Sequence, residues 1–284
     1  MVRVDHLVRP AIFTDQSRIN ELIHFESHVH RHLDWRNPLD WIGSPPYFVI
    51  ETDHRLIAAL ACPPDPPQVA WIRLFVSSSS FPLQESWLTL WDAACSDLKR
   101  KGSFVAAAIV LQDWYKSLLE ASGFSDHQQI LMLQRDNQGV PELNLSPNIS
   151  IRPMMPYDLP AVAEVDAAAF KFLWQNSLSA LNRAFPQAHW ATVAESEHGI
   201  LGYQLSTKNP FGAHLARLAV RPEGQGRGLG YALVADLIRQ MARGGVHRLT
   251  VNTQNDNTAS LALYRKLGFR ETGERYPVYE CPVG

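Results

Sequence analysis

The chain repeats itself at one spacing. Arg9-Pro10 returns as Arg152-Pro153, 143 positions on, and Ile72-Arg73-Leu74-Phe75-Val76 returns as Ala216-Arg217-Leu218-Ala219-Val220, 144 on. Leu118–Phe124 (LLEASGF) returns as Leu263–Phe269 (LYRKLGF), 145 on. Any one echo is weak. Three that hold one offset over a domain's length mark a tandem duplication. That is the tightest restriction on the fold, because 284 residues must then build one plan twice. The stretch Asp136–Asn148 (DNQGVPELNLSPN) is polar and carries Gly, two Pro and three Asn, as a connection between domains does. The expected organisation is a first domain over 1–137, a linker over 138–148 and a second domain over 149–284.

Each Arg-Pro pair precedes a helical pattern, Asp15–His28 in the first copy and Tyr157–Phe170 in the second. In the second copy Ile149–Arg152 reads as a short strand. Trp190–Glu195 and Ile200–Ser206 read as paired strands about a Glu197-His198-Gly199 turn, and His214–Val220 as a third strand. Leu229, Leu233, Leu237 and Met241 recur every four residues and predict a helix ended by Gly244-Gly245. A strand over His247–Asn252, a helix from Asn257 to Leu267 stopped by Gly268, and strands around Phe269 and Val278 complete a mixed α/β domain.

Between the third strand and the helix lies Arg221-Pro-Glu-Gly-Gln-Gly-Arg-Gly-Leu-Gly230. Without side chains, such a loop lets backbone N–H groups approach an anion, and the following helix turns its positive end to the same point. Arg221 and Arg227 add charge. These are the parts of a pyrophosphate cradle; the plainer reading is a surface turn from strand to helix. A P-loop would need Lys-Ser/Thr after its last glycine, where Tyr231-Ala232 stands, and no three of these glycines make the dinucleotide spacing GxGxxG.

The composition narrows the rest. A net charge of −2 offers no broad footprint for nucleic acid or an anionic membrane. Cys62, Cys95 and Cys281 are three and scattered, so neither a disulfide framework nor a zinc site is expected. His24, His28, His30 and His32 lack a supporting carboxylate or cysteine and read as helix-surface residues, so no metal is expected. With no signal-like start and no apolar run of membrane length, a cytoplasmic protein is the expectation.

Gln225-x-x-Gly228-x-Gly230, after Leu218-Ala219-Val220-Arg221-Pro222, resembles the acetyl-CoA motif of the GNAT acetyltransferase superfamily. Asn257-Thr-Ala-Ser-Leu-Ala-Leu-Tyr264-Arg-Lys-Leu-Gly-Phe269 is similar to that family's Asn-then-Tyr helix. The resemblance covers the second copy well and the first only in outline. It implies two tandem GNAT-like acyl-CoA N-acyltransferase domains, α/β in class with an α+β mixed sheet, and acetyl-CoA as cosubstrate. Backbone groups of Leu218, Ala219 and Val220 would pair with the pantetheine arm as a further strand, and one N–H there would polarise the thioester carbonyl. The N–H groups of Gln225, Gly226, Arg227, Gly228, Leu229, Gly230 and Tyr231 would hold the pyrophosphate, and Asn257 would bond the arm.

Tyr264 would protonate the departing thiolate. A phenol near 10 is a weaker acid than a thiol near 8.5, so full advance transfer is uphill by roughly 2 kcal/mol, and a hydrogen bond that tightens as sulfur leaves fits better. Its alternative is an aromatic packed beneath the sheet. Some relatives carry a glutamate base five residues before the Asn; here that position is Asn252, which cannot act as a base. Glu164, Asp166, His214 and Asp256 remain base candidates by residue type alone.

The first copy keeps the scaffold and not the motif. Leu119 stands where Tyr264 does, Gln112 where Asn257 does, and Ser77-Ser-Ser-Ser-Phe-Pro replaces the glycine series. The expected function is acetyl transfer to a primary amine of a small molecule, or to a peptide or protein N-terminus, by direct attack in a ternary complex. The alternative is a non-catalytic CoA or acyl-CoA sensor. A repeated pair within one chain is also compatible with a monomer, as an internal pseudo-dimer.

Overall fold

The computed structural model describes residues 6–102, 104–136, 139–142 and 146–284. Residues 1–5, 103 and 137 of the first expected domain, and 138 and 143–145 of the expected linker, lie outside these. The chain divides into two compact units. One runs to His127 and takes in Pro277–Gly284; the other is Gln128–Tyr276.

In the first unit the chain forms β1 (Leu7–Pro10), α1 (Gln16–Phe25), β2 (His28–Arg31), β3 (Tyr47–Thr52), β4 (Arg55–Ala61), β5 (Val69–Trp71) and β6 (Leu74–Ser77). Next come α2 (Leu83–Lys101), β7 (Phe104–Ile109), α3 (Asp113–Ala121) and the start of β8 (Ser125–Arg135). Strands β1, β3, β4, β6 and β2 make an antiparallel sheet in that order. Its buried faces are apolar, with Ile50, Leu60, Phe75, Trp87 and Leu90 in one cluster and Ile19, Val49, Leu74 and Val76 in another. The helical pattern predicted to His28 stops at Phe25, and His28 and His30 lie on a strand, His30 buried. The alternation His-Val-His-Arg suits an extended chain, so the reading of these histidines as helix-surface residues is corrected.

The second unit contains β9 (Ser150–Pro153), α4 (Leu159–Ala169), α5 (Leu178–Ala184), β10 (Trp190–Ser196), β11 (Gly199–Asn209) and β12 (Gly212–Val220). It continues with α6 (Leu229–Arg243), β13 (Leu249–Gln254), α7 (Thr258–Lys266) and most of β14 (Arg270–Val283). β9 to β12 are antiparallel neighbours in order, β12 and β13 are parallel, and β8 closes on β13. The stripe Leu229, Leu233, Leu237 and Met241 is buried as its period requires. Helices α6 and α7 cover one face of this sheet through Leu215, Val251, Leu237 and Leu261, while α4 packs on β11 and β12. The strands expected near Phe269 and Val278 are one continuous β14.

The last strand of each repeat is shared out. Ile130–Arg135 of β8 pair with β13 in the second unit, and Val278–Val283 of β14 pair with β7 in the first. Both strands follow the same helix-Gly-Phe ending, but the paired stretch starts six residues after Phe124 and nine after Phe269.

The Arg-Pro echo has a physical basis. Arg9 donates to Asp15 at 2.6 Å and to Glu51 at 2.8 Å; Arg152 donates to Asp158 at 2.7 Å and to Glu195 at 2.6 Å. Each aspartate also accepts the backbone N–H three residues earlier, Ile12 at 2.9 Å and Met155 at 2.7 Å, starting the turn into the first helix. Arg9's guanidinium holds Asp15 down at about 2, against 3.8 for a free side chain. A carboxyl depressed in the folded state stabilises fully above its unfolded value, and that contribution fades as pH falls towards 2. Arg9→Met should therefore move acid unfolding of the first unit to higher pH, read as ellipticity against pH. Superimposable acid curves would count against this role.

Candidate functional site

The second unit's sheet forks. β12 and β13 pair only from Ala213 with Leu249 to Leu215 with Val251. Beyond that, β12 runs on to Val220 and β13 to Gln254 with no pairing between them. A bulge sets in at the same place: Leu205 faces Arg217 but Ser206 faces Leu215, leaving Ala216 as the extra residue.

Alternation decides which backbone groups of β12 look into the fork. Arg221 N–H bonds Leu201 O at 2.8 Å on the β11 side. Ala219, two back, then turns its groups to β11 as well, opposite Tyr203. Leu218 and Val220 turn theirs to the open side. Val220's carbonyl is filled from that side by the Gln225 side-chain amide at 2.9 Å. Leu218 N–H, Leu218 C=O and Val220 N–H are left along the open edge.

The glycine loop sits at the fork's end. After a single helical turn over Pro222–Gly224, Gln225 N–H is taken by Pro222 O at 3.2 Å. From there to Ala232, whose N–H bonds Gly228 O at 2.9 Å, no acceptor is provided. Gly226, Arg227, Gly228, Leu229, Gly230 and Tyr231 thus present successive N–H groups without a partner among the described residues. Gly226 and Gly228 have φ of +73° and +79°, and a Cβ on either would meet nothing within 4 Å. The glycines are needed for the backbone turn, and the space before them is open. Gly230 is different: there a Cβ would press Leu263 Cδ2 at 3.3 Å, so glycine lets α6 approach α7. Arg227 is exposed. Arg221 is tethered to Ile200 O at 3.2 Å and Glu164 at 3.0 Å rather than free to swing.

Asn257 caps α7, its Oδ1 accepting Ser260 N–H at 3.1 Å, which leaves its amide NH2 unspent. Tyr264, one helix face along, is 4% exposed in the cluster with Val251, Leu261 and Phe269. Burial pushes its phenol up, so it stays protonated at all working pH values. Its hydroxyl has no hydrogen-bond partner among the described residues. Tyr264 is thus a packed ring with an uncommitted O–H.

The four base candidates separate. Glu164 is largely exposed and paired with Arg221. Asp166 is fully buried and held by both Nε and Nη2 of Arg217 at 2.7 Å. Asp256 is exposed and accepts from Gln128. His214 is half-buried at the fork. Arg217 entered the sequence reading only as part of an echo and Thr250 not at all, because both act through partners distant along the chain.

The first unit fills its own equivalent of this site. Leu74–Val76, the counterparts of Leu218–Val220, are paired on their far edge by β2: Arg31 faces Leu74, His30 faces Phe75 and Val29 faces Val76. Just before β2, Glu26 Oε2 accepts Ser79 N–H at 2.8 Å in the loop that replaces the glycine series.

The profile of the acetyltransferase (GNAT) family matches residues 159–269. A mycothiol acetyltransferase of Amycolatopsis mediterranei is 30% identical over 184 residues, 57% of this chain and 60% of that protein. For that relative and two others the matched stretch spans 45% to 65% of their own length. The Escherichia coli [ribosomal protein bS18]-alanine N-acetyltransferase is 30% identical over 127 residues, 45% of this chain and 84% of that enzyme. A tandem GNAT protein from the clavulanic acid biosynthesis pathway superposes with a TM-score of 0.64 over 99% of both chains at 16% identity, a likeness of fold. The chain is a tandem member of the GNAT acetyltransferase family.

Proposed function

We propose that the second unit transfers the acetyl group of acetyl-CoA to a primary amine, of a small molecule or of a peptide or protein N-terminus, by direct attack in a ternary complex. The observation that carries this reading is the row of unpartnered N–H groups from Gly226 to Tyr231, ending at the open edge of Leu218 and Val220. A row of donors at a helix N-terminus suits a pyrophosphate, and an unpaired strand edge suits an amide-bearing arm. The fit is to a ligand with both parts.

Acetyl-CoA supplies the activated acetyl group as a thioester. Leu218 and Val220 N–H groups orient the arm, Asn257's free NH2 donates to it, and a donor beside the bulge stabilises charge on the thioester oxygen. Tyr264, kept protonated by burial, offers its O–H to the departing sulfur. In the first unit β2 and Glu26 occupy the corresponding groups, so that unit takes no acetyl-CoA and one molecule binds per chain.

The test is acetyl transfer to a panel of small amines and short peptides, with Tyr264→Phe beside the wild type. Phenylalanine keeps the packing and removes the O–H. We expect kcat to fall on the order of 100-fold with acetyl-CoA affinity unchanged. A change of less than about threefold would assign Tyr264 to packing alone. Tight acetyl-CoA binding with no transfer to any acceptor would favour the sensor reading, which Asn252 in place of a glutamate keeps open.

A further inference from the structure

The acceptor side of the fork holds an imidazole whose tautomer is tied to its neighbours. On the face carrying α4, His214 Nδ1 lies 2.9 Å from Thr250 Oγ1, and Thr250 Oγ1 lies 3.3 Å from Ala213 O. Where the threonine's one proton goes to Ala213 O, which can only accept, its oxygen accepts from His214, and the imidazole proton then sits on Nδ1 and leaves Nε2 with a bare lone pair. Nε2 has no partner among the described residues. Burial pushes this imidazole below the ordinary histidine value, so it is neutral at pH 7. The charged groups on adjoining elements are committed or remote: Arg217 pairs with Asp166, Arg248 with Asp136, and Lys208 is exposed.

Asn252 completes the arrangement. It lies two residues beyond Thr250 on the same face of β13, where β12 has parted from it, and its Oδ1 is buried with no hydrogen-bond donor among the described residues. Two residues of strand advance about 7 Å, which sets Asn252 one side-chain position along from the His214–Thr250 pair.

We propose that the acceptor ammonium is received at the fork by Asn252 Oδ1 and loses its proton to His214 Nε2. This rests on the acetyl-transfer reading. The amine nitrogen, now carrying its lone pair, forms the C–N bond as the C–S bond breaks. The sulfur takes the proton offered by Tyr264, and the second proton that nitrogen sheds on becoming an amide restores the phenol. His214 returns its proton to solvent. An asparagine at the usual carboxylate position is then an orienting acceptor, with the base moved one strand over.

The first test needs no turnover. With 15N-labelled histidine, the free protein should show His214 protonated on Nδ1 and bare on Nε2 at pH 7; the opposite tautomer, or an imidazolium, overturns the assignment. The second is the pH profile of kcat/KM. The wild type should show an acid limb breaking below about 6.5. His214→Gln should lose that limb and fall about 100-fold at pH 7, with acetyl-CoA affinity unchanged. The deficit should close for an acceptor amine that is already unprotonated at pH 7. A deficit equal for protonated and unprotonated amines, or an unchanged acid limb, overturns the proposal. Asn252→Ala should raise the amine KM about tenfold and spare kcat. A wild type that binds acetyl-CoA and acetylates nothing sinks the transfer reading first, and this assignment with it.

Discussion

Gly228→Glu should abolish acetyl-CoA binding without unfolding the chain. Gly228 caps α6 with φ +79°, and a Cβ there meets nothing within 4 Å, so the substitution costs backbone strain but no clash. Its carboxylate would sit on the N–H row of Gly226–Tyr231 and satisfy it internally. The first unit already contains such a contact, with Glu26 on Ser79 N–H. The added charge would also repel a pyrophosphate. A weakening of at least about 100-fold, roughly 2.7 kcal/mol, is expected in a calorimetric titration. Gly228→Ala carries the strain without the charge and should lose far less. The wild-type titration should saturate at one acetyl-CoA per chain. Equal affinity in wild type and Gly228→Glu would remove the cradle assignment; two wild-type sites would remove the claim that β2 fills the first.

The reach of the sequence can be judged residue by residue. Periodicity found α6, because Leu229, Leu233, Leu237 and Met241 are buried by their own helix's geometry. Glycine spacing found the loop, because positive φ at Gly226 and Gly228 leaves a compositional mark. The Arg-Pro echo found the duplication, and its cause was invisible: Glu51 and Glu195 lie 42 and 43 residues beyond the arginines they bind. β2 escaped notice for the same reason. Four residues bearing two histidines have little strand propensity, and what makes them a strand is the free edge of β6.

The site shows the same limit. The two motifs lie within short stretches of chain, so spacing located them. The fork does not: it follows from where the pairing of β12 and β13 stops, a tertiary fact. By residue type His214 ranked no higher than Glu164 or Asp256. Its contact with Thr250, which in turn reaches Ala213 O, distinguishes it. Gln225 belongs to the motif, and its contacts are with the loop itself: its N–H goes to Pro222 and its side chain to Val220.

Asp166→Ala should cost about 3–5 kcal/mol of the second unit's stability, since removing one partner leaves a buried charge without compensation. Asp166 is fully buried. It accepts two hydrogen bonds from Arg217, one from Asn176 N–H at 2.7 Å and one from the Tyr203 hydroxyl. Arg217 also donates to Trp174 O at 2.6 Å and lies 3.6 Å over the Phe170 ring. The cluster therefore ties α4 and the segment after it to β11 and β12 beside the bulge. Arg217→Met should be nearly as costly, because Asp166 would keep only neutral donors. The double variant Asp166→Leu/Arg217→Met should recover much of the loss, since apolar groups of similar volume often replace a buried pair at little cost. Urea unfolding measures all four proteins, reading the transition that acetyl-CoA shifts, which identifies the unit that binds it. A loss below about 1 kcal/mol in Asp166→Ala, or a double variant no more stable than the sum of the singles, would show that the pair is not what joins α4 to the sheet.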